Sequence, residues 1–183
     1  MLYNLYAIAP AMAEELGGDF TAYFPGDSAR LFGYLQDAQD FYQMGPSLAE
    51  HAPVTYQMAA ALEDDFFREV DAVARGELSH GATLRFTHAE IIVPFAAILG
   101  LSFTPVPHAQ PYDYATNRWR GELVAPLTAN VQWDVYRDAT GALLIKMLYN
   151  EQETDFPPAC DPARFAYRSH FYDYAKLKTC YAR

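Results

Sequence analysis

The residues best suited to chemistry in this sequence are His88 and Glu90, in the stretch Leu84-Arg85-Phe86-Thr87-His88-Ala89-Glu90. An imidazole can donate hydrogen bonds to an anionic oxygen, and a carboxyl with a raised proton affinity can protonate a departing alkoxide. The pair follows a segment of strand composition, 82–87, and precedes the apolar run Ile91 to Leu101. Open α/β sheets bind their ligands at such strand-to-helix turns. Spacing alone leaves a second reading open, because polar residues at a strand end also cap the helix that follows. Zinc is a poor fit: HExxH is absent and no other His or Cys stands at ligand spacing, so no metal and no other cofactor is expected. GxGxxG, GxSxG and the GxxxxGK phosphate loop are also absent, which removes dinucleotide, hydrolase-elbow and P-loop readings. His51, His80, His108 and His170 have no recognisable partner pattern and read as surface or core residues.

The elements that must position this pair follow from periodicity. Leu31, Tyr34, Leu35, Ala38, Phe41 and Tyr42 predict a helix over 27–43, capped by Asp27 or Ser28 and ended by Gly45-Pro46. A helix with Leu2, Leu5, Tyr6, Ala9, Met12, Ala13 and Leu16 on one face is expected before Gly17-Gly18. A third helix is expected from Val54 to Arg75, with Val54, Met58, Leu62, Phe66, Val70 and Val73 inward and Gly76 as its stop. Glu63-Asp64-Asp65 then reads as a solvated face without metal geometry. From residue 82 the period changes: after strand 82–87 comes a helix interrupted by Pro94 and closed by Gly100. Val131, Trp133 and Val135 alternate with polar neighbours, and Leu143 to Tyr149 forms a second strand-like run. Asp138-Ala139-Thr140-Gly141 between them predicts a hairpin. The aromatic tail from Pro162 reads as helix.

The 183 residues, 51% hydrophobic and 15% aromatic, suit a domain with a real core and exclude a disordered chain. Residues 1–80 hold 13 acids against three arginines, while 81–183 hold ten acids and ten bases, so the whole net charge of -10 lies in the first part. That acidity excludes a dedicated nucleic-acid binder. The asymmetry divides the chain into a helical portion, 1–80, and a sheet-containing portion, 81–183. No apolar run approaches the ~18 residues of a membrane span. Met1 to Ala13 is apolar, but without a positive start it reads as a helix rather than a signal peptide. Cys160 and Cys180 are either two buried thiols or a disulfide closing a loop worth about 3 kcal/mol.

The segment 84–90, with the helix ending Leu99-Gly100-Leu101, resembles the acid-motif region of the multiple inositol polyphosphate phosphatases, phytase-like members of the histidine phosphatase superfamily. The resemblance continues through Val124-Ala125-Pro126-Leu127-Thr128-Ala129-Asn130-Val131-Gln132-Trp133 and Lys146-Met147-Leu148-Tyr149-Asn150-Glu151. Upstream it takes in Asp40-Phe41-Tyr42 with Gly45-Pro46 and Leu62-Glu63-Asp64-Asp65-Phe66. It implies an α/β (α+β) fold: the C-terminal part of the sheet domain at 81–183, preceded by part of a helical insertion at 1–80. It also implies hydrolysis of inositol polyphosphates or other phosphomonoesters through a phosphohistidine, with His88 binding the phosphoryl group and Glu90 protonating the leaving alkoxide. The family's nucleophilic RHGxRxP is not matched; Ser79-His80-Gly81 lacks its arginines and follows the wrong order, so it reads as a turn. The expectation is therefore a C-terminal half that is inactive without an N-terminal partner half. An alternative is a non-catalytic phosphate-binding or interaction module on the same scaffold. Family resemblance implies a periplasmic or secreted location, and the acidic helical portion, which repels a polyanion at neutral pH, implies an acidic optimum.

Overall fold

The computed structural model describes residues 2–18, 23–101 and 111–183. Helices fill the first part. α1 (Leu2–Ile8), a 3-10 turn (Ala9–Met12) and α2 (Ala13–Leu16) replace the single N-terminal helix, because Pro10 has no N–H to continue the ladder. Leu5 and Leu16 of the expected buried face are exposed, and the side chain of Leu2 lies outside the described part. α3 (Gly26–Gln43) forms where its spacing places it. Its cap is Pro25, without a side-chain hydrogen bond, and Asp27 instead pairs with Arg30. Phe41 is fully buried, with Tyr34 and Ala38 packed beside the core, whereas Leu31 and Leu35 stay exposed.

The expected helix 54–75 is divided into α4 (Ala52–Thr55), a 3-10 turn (Gln57–Ala59) and α5 (Ala60–Arg75). Val54 and Met58 therefore point to solvent, while Leu62, Phe66, Val70 and Val73 face inward. Gly76 ends α5 at φ 69°, the left-handed conformation that glycine adopts without strain. Glu63 is not part of a solvated face: it is 4% exposed and accepts a hydrogen bond from Arg183.

The sheet is antiparallel. β1 (Val131–Arg137) and β2 (Leu143–Tyr149) pair from Val131 opposite Tyr149 to Arg137 opposite Leu143. Asp138 fixes the turn by accepting from the N–H groups of Thr140 (2.8 Å) and Ala142 (2.9 Å). Two short strands, β3 (Gln152–Thr154) and β4 (Phe171–Asp173), also pair with β2. The tail expected to be helical is thus a 3-10 turn (Pro158–Ala163), β4 and α8 (Tyr174–Cys180), with Asp173 capping α8 through the N–H of Lys176. Cys160 and Cys180 form a disulfide, which ties the 3-10 turn to the end of α8.

Residues 82–87 are not a strand. No described strand pairs with them, and a strand exists only as part of a hydrogen-bonded ladder. α6 (Ala89–Ile98) follows and continues through Pro94, contrary to the expected interruption, and the short α7 (Gly121–Val124) precedes β1. Pro94 has no N–H to offer the carbonyl four residues back, so α6 runs on with that one ladder bond missing. The fold is a mixture of helices and antiparallel sheet around one core. Phe41, Phe67 and Val70 of the helical part share that core with Phe95, Ile145, Met147, Tyr172 and Leu177.

Candidate active site

His88 is the residue that opens α6. Its backbone is extended, at φ -121° and ψ 172°, and its carbonyl accepts from the N–H groups of Ile91 (3.0 Å) and Ile92 (3.2 Å). Its side chain makes no capping hydrogen bond. Capping therefore uses the backbone and leaves the imidazole exposed. Glu90 lies in the first turn of α6, also exposed, where a carboxylate is favoured by the helix dipole. Immediately after it, Ile92, Val93, Pro94, Phe95 and Ala96 are buried, and Phe95 packs on Phe66 with ring centroids 5.0 Å apart. One end of α6 thus carries the polar residues while the rest is fixed in the core.

Glu90 faces a cleft of ≈ 800 Å³. α3 supplies Arg30, Asp37, Asp40 and three glutamines to its lining, and Glu122 and Tyr114 are among the other polar residues there. His88 is not among the residues that line it. The two sequence-predicted residues stand two positions apart in the chain, but only Glu90 lines the cleft.

The cleft wall is held by an ion-paired network. Asp37 accepts from the N–H of Gly121 (2.8 Å) and stands 3.9 Å from Arg120 Nε. Arg120 donates to the carbonyls of Tyr114 (2.7 Å), Asn117 (2.7 Å) and Trp119 (2.6 Å), and its guanidinium lies 3.5 Å from the centre of the Tyr114 ring. The Tyr112 hydroxyl donates to the Trp119 carbonyl (2.9 Å) and accepts from Arg120 (3.0 Å); burial pushes its pKa up to about 12. A Cβ added at Gly121 would stand 3.4 Å from carboxylate oxygens of both Asp37 and Asp40, so the two acids converge on this glycine.

Burial raises Asp37 above the usual carboxylate range, although the Gly121 hydrogen bond and Arg120 oppose it. Burial also raises Asp40; the hydrogen bond from Gln36 (2.9 Å) opposes this, while the charges of Asp37 and Glu90 add to it. Arg30 is the only cation among the described residues lining the cleft, and Asp27 already pairs with it. The described lining is thus rich in carboxyl groups and holds a single cation that is already paired. Asp37 and the Arg120 network had no motif to reveal them; the only signal was two aspartates at i, i+3 on α3.

The other predicted residues have separate places. Arg85 pairs with Asp65 and lies 3.7 Å from Glu69, making the structural contact expected of it, though from an unpaired segment. His80 sits in a bend, 2.9 Å from the Thr83 hydroxyl. His51 lies 3.3 Å from Glu50, and His170 lies 2.8 Å from Asp155, a carboxylate it shares with Arg164. His108 is outside the described residues. Among the described residues no group of three His, Cys, Asp or Glu could hold a metal ion.

No protein-family model and no curated protein matches the chain significantly. Solved structures do match. Bifidobacterium longum multiple inositol polyphosphate phosphatase in complex with inositol hexasulfate is 44% identical with a TM-score of 0.86, covering 98% of this chain and 37% of that one. Its phosphate complex has 44% identity and a TM-score of 0.85 over 99% and 38% of the two chains. The apo form matches at 44% and 0.84, over 100% and 39%. The chain therefore spans less than two-fifths of the length of these solved relatives, in their C-terminal part.

Proposed function

From a chain that shares the fold and 44% of the sequence of the C-terminal part of a multiple inositol polyphosphate phosphatase, we propose that it supplies the proton-donor side of a histidine-phosphatase active site. The observation that carries this reading is Glu90, exposed in the first turn of α6 and facing the cleft opposite α3. In the reaction, the P–O bond to the inositol oxygen breaks as the phosphoryl group passes to a histidine nucleophile. Glu90 gives its proton to the departing oxygen, which would otherwise leave as a strongly basic alkoxide, and is left as a carboxylate. Such general acid catalysis is worth about 10²- to 10⁴-fold. His88, which does not itself line the cleft, is assigned to the transferring phosphoryl group by the family resemblance. Asp37, Asp40 and Glu122 around the cleft repel a polyanionic substrate at neutral pH, which supports an acidic optimum.

The nucleophile's RHGxRxP sequence does not occur in these residues, so the chain alone is expected to be inactive. In this reading 1–80 is the later part of a helical insertion and 81–183 the C-terminal part of the sheet domain. We also propose a periplasmic or secreted location; the Cys160–Cys180 disulfide supports an oxidising compartment. No described helix is long and apolar enough to cross a membrane.

The test is phosphate release from phytate at about pH 5, where carboxyls near their unperturbed range begin to hold protons. The isolated chain should release none, and addition of the N-terminal part of the Bifidobacterium longum enzyme should confer turnover. Robust turnover by the isolated chain would overturn the division of labour.

A further inference from the structure

Between Cys160 and Cys180 lies a loop whose ends are fixed and whose tip is not. Arg164 and His170 each reach the Asp155 carboxylate at 2.8 Å, and β4 begins at Phe171, so both ends are anchored. Residues 165–168 are all exposed, Tyr167 at 93%, and Arg168 passes through the left-handed region at φ 58°. Three hydrogen bonds close the loop: Phe165 N–H to the Phe171 carbonyl (2.8 Å), Ser169 N–H to the Ala166 carbonyl (3.0 Å) and the Arg164 guanidinium to the Ser169 carbonyl (2.6 Å). Opening the tip breaks these bonds but bares little new apolar surface, because its aromatic side chains already face water. Exposed tips of this kind lie at the low end of local stability.

The cation at that tip stands apart from the others. Among the described residues, only Arg118, Arg168 and Lys176 have cationic side chains without an ion pair or hydrogen bond. Arg118 stands between buried Asn117 and Trp119, so its backbone cannot be drawn out without unpacking the core. Lys176 lies in the first turn of α8, with its N–H bonded to Asp173. Arg168 alone joins a free guanidinium to an exposed, non-helical backbone. Those are the two requirements of an endoprotease of the trypsin class: a cation for its specificity pocket and a segment that can extend across its active site.

We propose that the Arg168–Ser169 bond is a site of limited proteolysis by a trypsin-class endoprotease, and that the fold keeps the cut molecule whole. Hydrolysis breaks the bond from the Arg168 carbonyl carbon to the Ser169 nitrogen; water gives its hydroxyl to the new carboxyl group and its remaining proton to the new amine. The product 169–183 stays attached through the Cys160–Cys180 disulfide, which spans the cut. Packing holds it as well. Tyr172 and Leu177 are fully buried, Lys178 pairs with Asp71 (2.8 Å), and the Tyr181 hydroxyl donates to the Leu99 carbonyl (2.7 Å). None of residues 164–170 lines the cleft that holds Glu90, so this site is independent of the functional reading above.

The experiment is brief digestion of the full, disulfide-bonded chain with a trace of trypsin, followed by mass spectrometry and gels run with and without dithiothreitol. The first product should be a single species heavier than the chain by one water, which dithiothreitol splits into 1–168 and 169–183. It should keep the near-ultraviolet circular dichroism of the uncut chain, because β4 and α8 stay packed. Arg168→Gln should slow cleavage at this bond by about 10²-fold or more, and Arg168→Lys should restore it. Neither substitution should move the urea midpoint of the uncut chain, since the Arg168 side chain is exposed and has no partner. A first cut at any other bond, or unchanged cleavage of Arg168→Gln at this one, would overturn the assignment of the site. A cut product that separates without dithiothreitol, or that loses its near-ultraviolet signal, would overturn the claim that the fold retains both pieces.

Discussion

Replacing Asp37 tests whether the cleft wall is held as described. Asp37 and Arg120 have side chains only 15% exposed, and the Asp37 carboxylate is the acceptor for the Gly121 N–H at 2.8 Å. Truncating one member of a fully buried ion pair costs ~3–5 kcal/mol. Two features reduce that figure here. Arg120 lies 3.9 Å from the carboxylate, at the outer limit of an ion pair, and it keeps its hydrogen bonds to the carbonyls of Tyr114, Asn117 and Trp119. What remains is a charge-assisted hydrogen bond, worth ~1.5–3 kcal/mol, with a part-buried N–H left without its acceptor. Asp37→Ala should therefore destabilise by about 2 kcal/mol. Asp37→Asn keeps an acceptor for Gly121 and removes a carboxylate that burial disfavours, so its cost should stay below about 1 kcal/mol. Urea unfolding at about pH 7, with the slope checked for constancy, reads both values. An alanine variant within about 0.5 kcal/mol of the parent, or an asparagine variant as damaging as alanine, would refute the reasoning.

Three further outcomes follow from the same contacts. Arg183→Ala removes the partner of buried Glu63 and should cost about 2–3 kcal/mol at about pH 7; burial raises Glu63 while Arg183 opposes it, so the loss should shrink as the pH falls and Glu63 becomes protonated, as urea midpoints against pH would show. Cys160→Ser with Cys180→Ser should lower stability by about 3 kcal/mol, and a reducing agent should lower the parent to the same level. Asp71 and Asp155 are both held below the ordinary carboxylate range: burial would raise them, but hydrogen bonds from Lys178 and Tyr174 to Asp71, and from Arg164 and His170 to Asp155, outweigh it. Their contribution is complete above their unfolded pKa and lost as pH falls through the folded one, so thermal midpoints should drop on acidification below about pH 4, less steeply in Asp155→Asn.

The parts of the fold legible in the sequence are those whose signal is local. The β1–β2 hairpin combines alternation with a turn whose Asp138 serves its own backbone, and α3 has enough turns for its periodicity to show. Gly76 ends α5 for a conformational reason that one residue carries alone. Pairing is not local, and there the reading failed in both directions. The three-residue strands β3 and β4 are too short to display a period and exist because β2 offers them an edge. Residues 82–87 have the composition of a strand without a described partner to make them one. Glu63 illustrates a second limit: in a run of three acids nothing distinguishes the one that meets an arginine 120 positions away. At the site, Glu90 was a candidate from its neighbours in sequence and lines the cleft, while Asp37 and Asp40 enter consideration only because α3 contributes to the same lining.

If Glu90 delivers a proton to a poor leaving group, as proposed, substrates that differ in their leaving group will separate its effect. In the complex with the N-terminal part of the Bifidobacterium longum enzyme, Glu90→Gln should reduce phosphate release from phytate by about 10²- to 10⁴-fold. With p-nitrophenyl phosphate, whose phenolate departs without protonation, the same variant should lose little. Equal losses on both substrates, or none on phytate, would contradict the assignment of Glu90 as the general acid.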